Sequence, residues 1–168
     1  KIDHAWIEHA QVYKDSRVHR NAEILSKVVS SGKAGAREYF YYGNEMMDNR
    51  NWREAIKAYT RYVSMSKWAD EKYIALIRLG DAKLNIANFE GAMQSYSEAE
   101  NIHPDWPQAY FSKAKVAYYQ KSFRDIVTWC NIGMCMPAPE TNVILNPLDW
   151  TFSWIILYTN GLWHLGKV

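Results

Sequence analysis

Residues 79–104, LGDAKLNIANFEGAMQSYSEAENIHP, decide the fold. Counting from Gly80, the residues Ala92, Tyr96, Ala99 and Pro104 follow at offsets 12, 16, 19 and 24. Two antiparallel helices cross closely only where their side chains are small, and Gly80 facing Ala92 meets that need. Tyr96 has the bulk to fill the gap between successive hairpins, and Pro104 ends the second helix because it cannot continue the hydrogen-bond ladder. The same template upstream finds Gly43, Ala55 and Tyr59, with Trp52 in the place that Phe89 holds between the helices. Downstream, 34 residues after Gly80, it finds Ala114, then Phe123, Ile126 and Cys130. This third unit is degenerate in residue type but right in length. Gly43 and Gly80 are 37 residues apart, so about three extra residues fall around Ser64 to Asp70.

The spacing resembles that of tetratricopeptide repeats, with all five positions matched in the unit that starts at Gly80. The resemblance implies an all-α superhelix of antiparallel helix pairs, because no single hairpin can bury its own apolar face. A fourth, partial unit opens at Leu148-Asp149-Trp150, with Asp149 as N-cap and the apolar run Trp154 to Leu157 behind it. Aligning Gly166 with the inter-helix turn puts Thr159 where Gly43 and Gly80 sit. Met136 to Pro147 is then an insertion of about eleven residues, and Pro137, Pro139 and Pro147 keep it from forming one helix. Ahead of the repeats, Ser16 to Ser30 reads as an amphipathic helix with Val18, Ala22, Leu25 and Val29 on its apolar face and Gly32 as its stop. Residues 1–15 are expected to be the remnant of, or a linker from, a preceding domain, and 16–168 the helical-repeat domain. In that first stretch His4-Ala5-Trp6-Ile7-Glu8-His9 alternates like an edge strand. The chain opens on Lys1 and runs out at Val168, part-way through the fourth unit, so it is expected to be a piece of a longer polypeptide.

Composition narrows the function classes. Hydrophobic residues make up 48% of the 168 and charged residues 23%, as in an ordinary globular chain. A net charge of +2 without a Lys/Arg run argues against a nucleic-acid partner. The longest apolar stretch, near Trp154 to Tyr158, is too short to span a bilayer. Cys130 and Cys135 make no disulfide framework, and Cys130 falls on an apolar helical face, so reduced thiols and a cytoplasmic location are expected. The five histidines show no metal-ligand spacing, and no phosphate loop or nucleophile motif is present, so no catalytic residue is assigned.

The order Ile7-x-His9, then Arg20-Asn21-x-x-Ile24-Leu25, then the repeats is similar to family-2-type bacterial and phage glycosyltransferases. The aromatic stretch Ala36 to Tyr42 and the proline-interrupted insertion share that resemblance. It implies that the chain is a non-catalytic repeat domain that positions an acceptor, packs against a catalytic domain or oligomerises. It also implies that the parent enzyme uses a divalent metal and a nucleotide sugar, neither of them held by this chain alone. His9 matches a family position that completes the metal shell, as an imidazole can. The alternative is a stand-alone scaffold that binds a peptide or protein partner.

In such arrays the first helix of each unit lines the concave groove, which places Arg37, Phe40, Asn44 and Asp48 there from unit one. Unit two adds Ile77, Asp81 and Asn85, unit three Phe111, Lys115, Tyr118 and Tyr119, and unit four Ile156, Asn160 and Trp163. Polar groups beside exposed aromatics suit a peptide backbone or the face of a glycan ring. Phe40 stands where arrays that grip a C-terminal carboxylate need a Lys, which disfavours that ligand.

Overall fold

The computed structural model describes residues 21–141 and 153–167, and all regular structure among them is helical. The chain divides into two compact units, Lys1–Met65 and Ser66–Val168. The alternating segment with His9, Arg20, the Asp149 cap and the second half of the inserted segment lie outside the described residues.

The first unit contains α1 over 21–30, α2 over Ala36–Asp48 and α3 over Trp52–Met65. Gly32 stops α1 as its sequence suggests: its φ is 71° and its N–H donates to the Val29 carbonyl at 3.2 Å. Helix α2 begins at Gly35, whose N–H donates to the Glu38 carboxylate at 2.9 Å, satisfying one donor that a helix start leaves open. The α2/α3 crossing sits at Gly43. A Cβ there would stand 2.7 Å from Cε1 of Tyr59, so only glycine lets that ring close over the helix. Tyr59 is fully buried, and its hydroxyl donates to Asn44 Oδ1 at 2.7 Å.

The second unit contains α4 over Ala69–Asn85, α5 over Phe89–Ile102, α6 over Pro107–Tyr119, α7 over Phe123–Met134 and α8 over Ser153–His164. Helices α4/α5 and α6/α7 form hairpins, and α8 packs on α6 and α7. At the α4/α5 crossing the Tyr96 ring closes over Gly80 as Tyr59 does over Gly43. Its hydroxyl donates to Asp81 Oδ1 at 2.8 Å. Where those hairpins pair glycine with tyrosine, the α6/α7 crossing pairs Ala114 with Cys130 in one buried cluster with Ala117 and Ile126. The degenerate third unit therefore makes both partners at this crossing small, and the ring that closes the hairpin is Phe111 over Gly133.

One turn recurs four times. Arg50, Ala87 and Lys121 lie in the left-handed region at φ 56°, 58° and 57°, and Gly166 at 65°. They stand seven residues after Gly43, Gly80, Ala114 and Thr159. In the α4/α5 turn Ala87 N–H donates to Leu84 O and Asn88 N–H to Lys83 O, both at 2.9 Å. Equivalent pairs close the other three turns, so each first helix ends in the same doubly bonded cap. Its recurrence after α8 fixes Thr159 as the fourth-unit counterpart of Gly80.

The extra residues between the first two units do not lengthen a loop. Helix α4 begins eleven residues before Gly80, whereas α2 and α6 begin seven before Gly43 and Ala114. They become an added N-terminal turn of α4, which carries Asp70.

Candidate functional site

A pocket of about 140 Å³ opens on the first helices of the second unit. Helix α4 contributes Ile77 and Asp81, and α8 contributes Trp154 and Leu157. Helix α6 contributes Gln108, Phe111, Ser112 and Lys115, a stripe at i, i+3, i+4 and i+7 that Pro107 at the first helical position sets in register.

The polar side of the pocket is a fixed network. Lys115 Nζ donates to Asp81 Oδ1 at 2.5 Å, and the same oxygen accepts the Tyr96 hydroxyl. Burial, reinforced by the Asp81 carboxylate beside it, pushes the Tyr96 hydroxyl far above the usual phenol range, so it stays a donor. The apolar side is built on Phe111 and Trp154, whose rings stack at 5.9 Å with 14° between planes. Phe111 is held by Gly133 of α7, where a Cβ would lie 2.5 Å from its ring. Gln108 is only 7% exposed, and its Oε1 is buried with no hydrogen-bond partner. Across the Phe111/Trp154 wall lies a second, wider groove of about 370 Å³ lined by Pro107, Met134, Met136 and Pro137.

The structure brings together part of the groove that the sequence suggests. Asp81, Phe111 and Lys115 share the pocket with Ile77. Asn160 holds the position after Thr159, as Lys115 does after Ala114, and its Oδ1 is also buried without a partner. Asn85 instead bonds its own helix, donating to Asp81 O at 2.8 Å. Tyr118 and Tyr119 are exposed but do not line the pocket, because they lie on the last turn of α6, where Tyr119 stacks on Phe89. Ile156 and Trp163 are exposed on α8. In the first unit Phe40 is buried and packs its ring against Tyr59 and Tyr62 instead of opening onto a groove. Arg37 is exposed over the Tyr41 ring, Asp48 is exposed, and Asn44 is engaged by Tyr59.

Sequence reasoning misses Gln108 and Ser112, although their helical spacing to Phe111 and Lys115 is the signal that could have found them. It also misses two polar clusters. In the added turn of α4, Asp70 receives Thr141 Oγ1 at 2.6 Å and lies 3.0 Å from His103 Nε2. The His103 ring is stacked flat on Trp106 at 4.1 Å. On α6, Lys113 is 4% exposed, pairs with Glu100 and lies 4.8 Å from the centre of the Trp129 ring. Glu100 is thus the half-buried partner of a buried lysine. Among the described residues no cluster of three or more His, Cys, Asp or Glu could hold a metal, and no helix is long and apolar enough to cross a membrane.

No known protein-family profile matches the chain. Its backbone is similar to that of MamA, with a TM-score of 0.71 and 13% identity over 94% of this chain and 84% of MamA. It is also similar to PilF of Pseudomonas aeruginosa, with a TM-score of 0.63 and 12% identity over 86% of this chain and 60% of PilF. Both neighbours are tetratricopeptide-repeat proteins.

The fold is that of a tetratricopeptide array.

At these identities the likeness concerns the fold. What this array does rests on its own side chains.

Proposed function

We propose that this array is a protein-binding scaffold that takes a peptide segment on the first-helix face of its second unit. The observation that carries this reading is the pocket of Ile77, Asp81, Gln108, Phe111, Lys115 and Trp154, which combines a flat aromatic wall with fixed polar groups. A concave, largely apolar site with a few convergent polar groups is what recognition of a side chain or short segment requires. The reading as the repeat domain of a glycosyltransferase rests on residues 6–25, of which only 21–25 are described, and neither structural neighbour speaks for it.

Panning a random-peptide display library on the 168-residue chain tests the scaffold reading. Enriched peptides are expected to lose at least about tenfold in affinity on Lys115→Glu, which sets like charges side by side at Asp81. Lys115 is partly exposed, so this change should leave the fold standing. An empty selection, or peptides indifferent to Lys115→Glu, would contradict the proposal.

A further inference from the structure

The scaffold reading leaves open which residue of a partner enters the pocket, and the inference here rests on that reading. A buried carbonyl oxygen without a donor is costly, and its persistence calls for a reason. Gln108 Oε1 is such an oxygen, on a side chain more than nine-tenths buried in the pocket lining. No other side chain of the pocket supplies the donor. Lys115 Nζ and the Tyr96 hydroxyl both donate to Asp81, and no donor of Ser112 or Lys115 reaches the Gln108 oxygen. The terminal amide of a glutamine turns on a soft torsion, so it can swing its oxygen to a donor that arrives from the pocket.

Size and charge then restrict the guest. With a water's share of liquid volume near 30 Å³, roughly 140 Å³ holds one side chain, not a length of backbone. The Lys115 ammonium opposes a second cation, and the one carboxylate at hand is already neutralised by it. A neutral side chain must fill the space, with an apolar body against Ile77, Leu157 and the stacked Phe111/Trp154 rings and a donor at its tip. Serine and threonine are too small to reach those walls, and leucine and phenylalanine bring no donor. We infer that the pocket takes an aromatic anchor bearing a hydrogen-bond donor, a tyrosine or tryptophan of the bound segment, whose O–H or N–H donates to Gln108. An amphipathic ring of this kind gives large contact at low cost in side-chain freedom.

The test uses N-acetyl amides of Tyr, Trp, Phe and Leu, titrated into the full chain and read from the Gln108 side-chain amide and the Ile77 and Leu157 methyl resonances. The Tyr and Trp amides are expected to bind about tenfold more tightly than the Phe and Leu amides, because only they relieve the unpaired oxygen. Gln108→Leu should erase that preference while keeping or raising the melting temperature, since it removes an acceptor that has no donor. Equal binding of the Tyr and Phe amides, a preference that survives Gln108→Leu, or no binding of any amide overturns the inference. Failure of the anchor and failure of the scaffold look different. Peptides selected through Lys115 that carry neither Tyr nor Trp remove the anchor and keep the scaffold. A tenfold Tyr preference with an empty peptide selection keeps the anchor and removes the scaffold.

Discussion

The α4/α5 and α6/α7 hairpins solve one packing problem in opposite ways. In the first, the aromatic ring comes from the second helix and the gap from the first, with Tyr96 over Gly80. In the second, the gap and the ring exchange helices. Ala114 and Cys130 occupy the homologous positions with modest side chains, and Phe111 of the first helix closes over Gly133 of the second. Geometry requires a close crossing, and either helix can supply the bulk. The choice has a functional consequence. With its ring on α5, the first hairpin frees α4 to present Asp81 under a tyrosine hydroxyl. With its ring on α6, the second presents an aromatic wall beside Lys115. The pocket is the place where the two solutions meet.

The largest difference between the hairpins should appear on truncation. Tyr96→Ala removes a fully buried ring and one donor to Asp81, and should cost about 4 kcal/mol by chemical denaturation. Cys130→Ala, at the homologous position, should cost only about 1 kcal/mol, because it deletes a single buried sulfur. Similar losses at both sites would mean that the two crossings are not alternative solutions. A transplant comes next. Cys130→Tyr alone overpacks against Ala114 and should cost about 3 kcal/mol. Adding Ala114→Gly should recover at least about 1 kcal/mol of that, a coupling that a double-mutant cycle reads directly. No recovery would show that the ring exchange with Phe111 and Gly133, not the Ala114/Cys130 pair, controls the crossing.

A smaller effect concerns what the hairpins share. Ala87 holds a left-handed conformation at φ 58° that glycine adopts without strain, so Ala87→Gly should raise stability by about 1 kcal/mol. The smallest test leaves stability unchanged. Burial pushes the Cys130 thiol up to about 12, because the thiolate is disfavoured away from water. Mild alkylation at pH 8 should therefore label exposed Cys135 and spare Cys130 until the chain unfolds. Labelling of both at equal rates in the folded chain would contradict the buried Ala114/Cys130 contact.

The hairpin frame was legible in the residues because close crossing restricts them so tightly. Gly43 and Gly80 mark the crossings, and Gly166 locates the fourth turn. The structure, however, sets Tyr59 and Tyr96 over those glycines within each hairpin, where the sequence alone sets Ala92 against Gly80 and Tyr96 between hairpins. The site was legible only in part. Asp81, Phe111 and Lys115 follow from their register on first helices, but register does not tell a groove face from a core face. Phe40 and Phe111 stand at the same offset before Gly43 and Ala114, yet Phe40 packs on Tyr59 and Tyr62 while Phe111 walls the pocket. The neighbour decides, and Gly133 and Trp154 are distant in sequence. Tyr118 and Tyr119 continue the face of Lys115 one turn further along α6, where the pocket has ended and Phe89 gives Tyr119 a stacking partner. The place of Gln108 on the pocket face could have been read from its spacing to Phe111 and Lys115, but its missing partner shows only in the fold.

The most direct test of the scaffold account is a methyl-resonance footprint of the chain with a peptide enriched by panning. The account predicts that Ile77 and Leu157 on the first helices shift on titration, while the methyls of Val127 and Ile132 on α7 stay in place. Shifts confined to α7, or a peptide that binds while Ile77 and Leu157 remain unmoved, would contradict it.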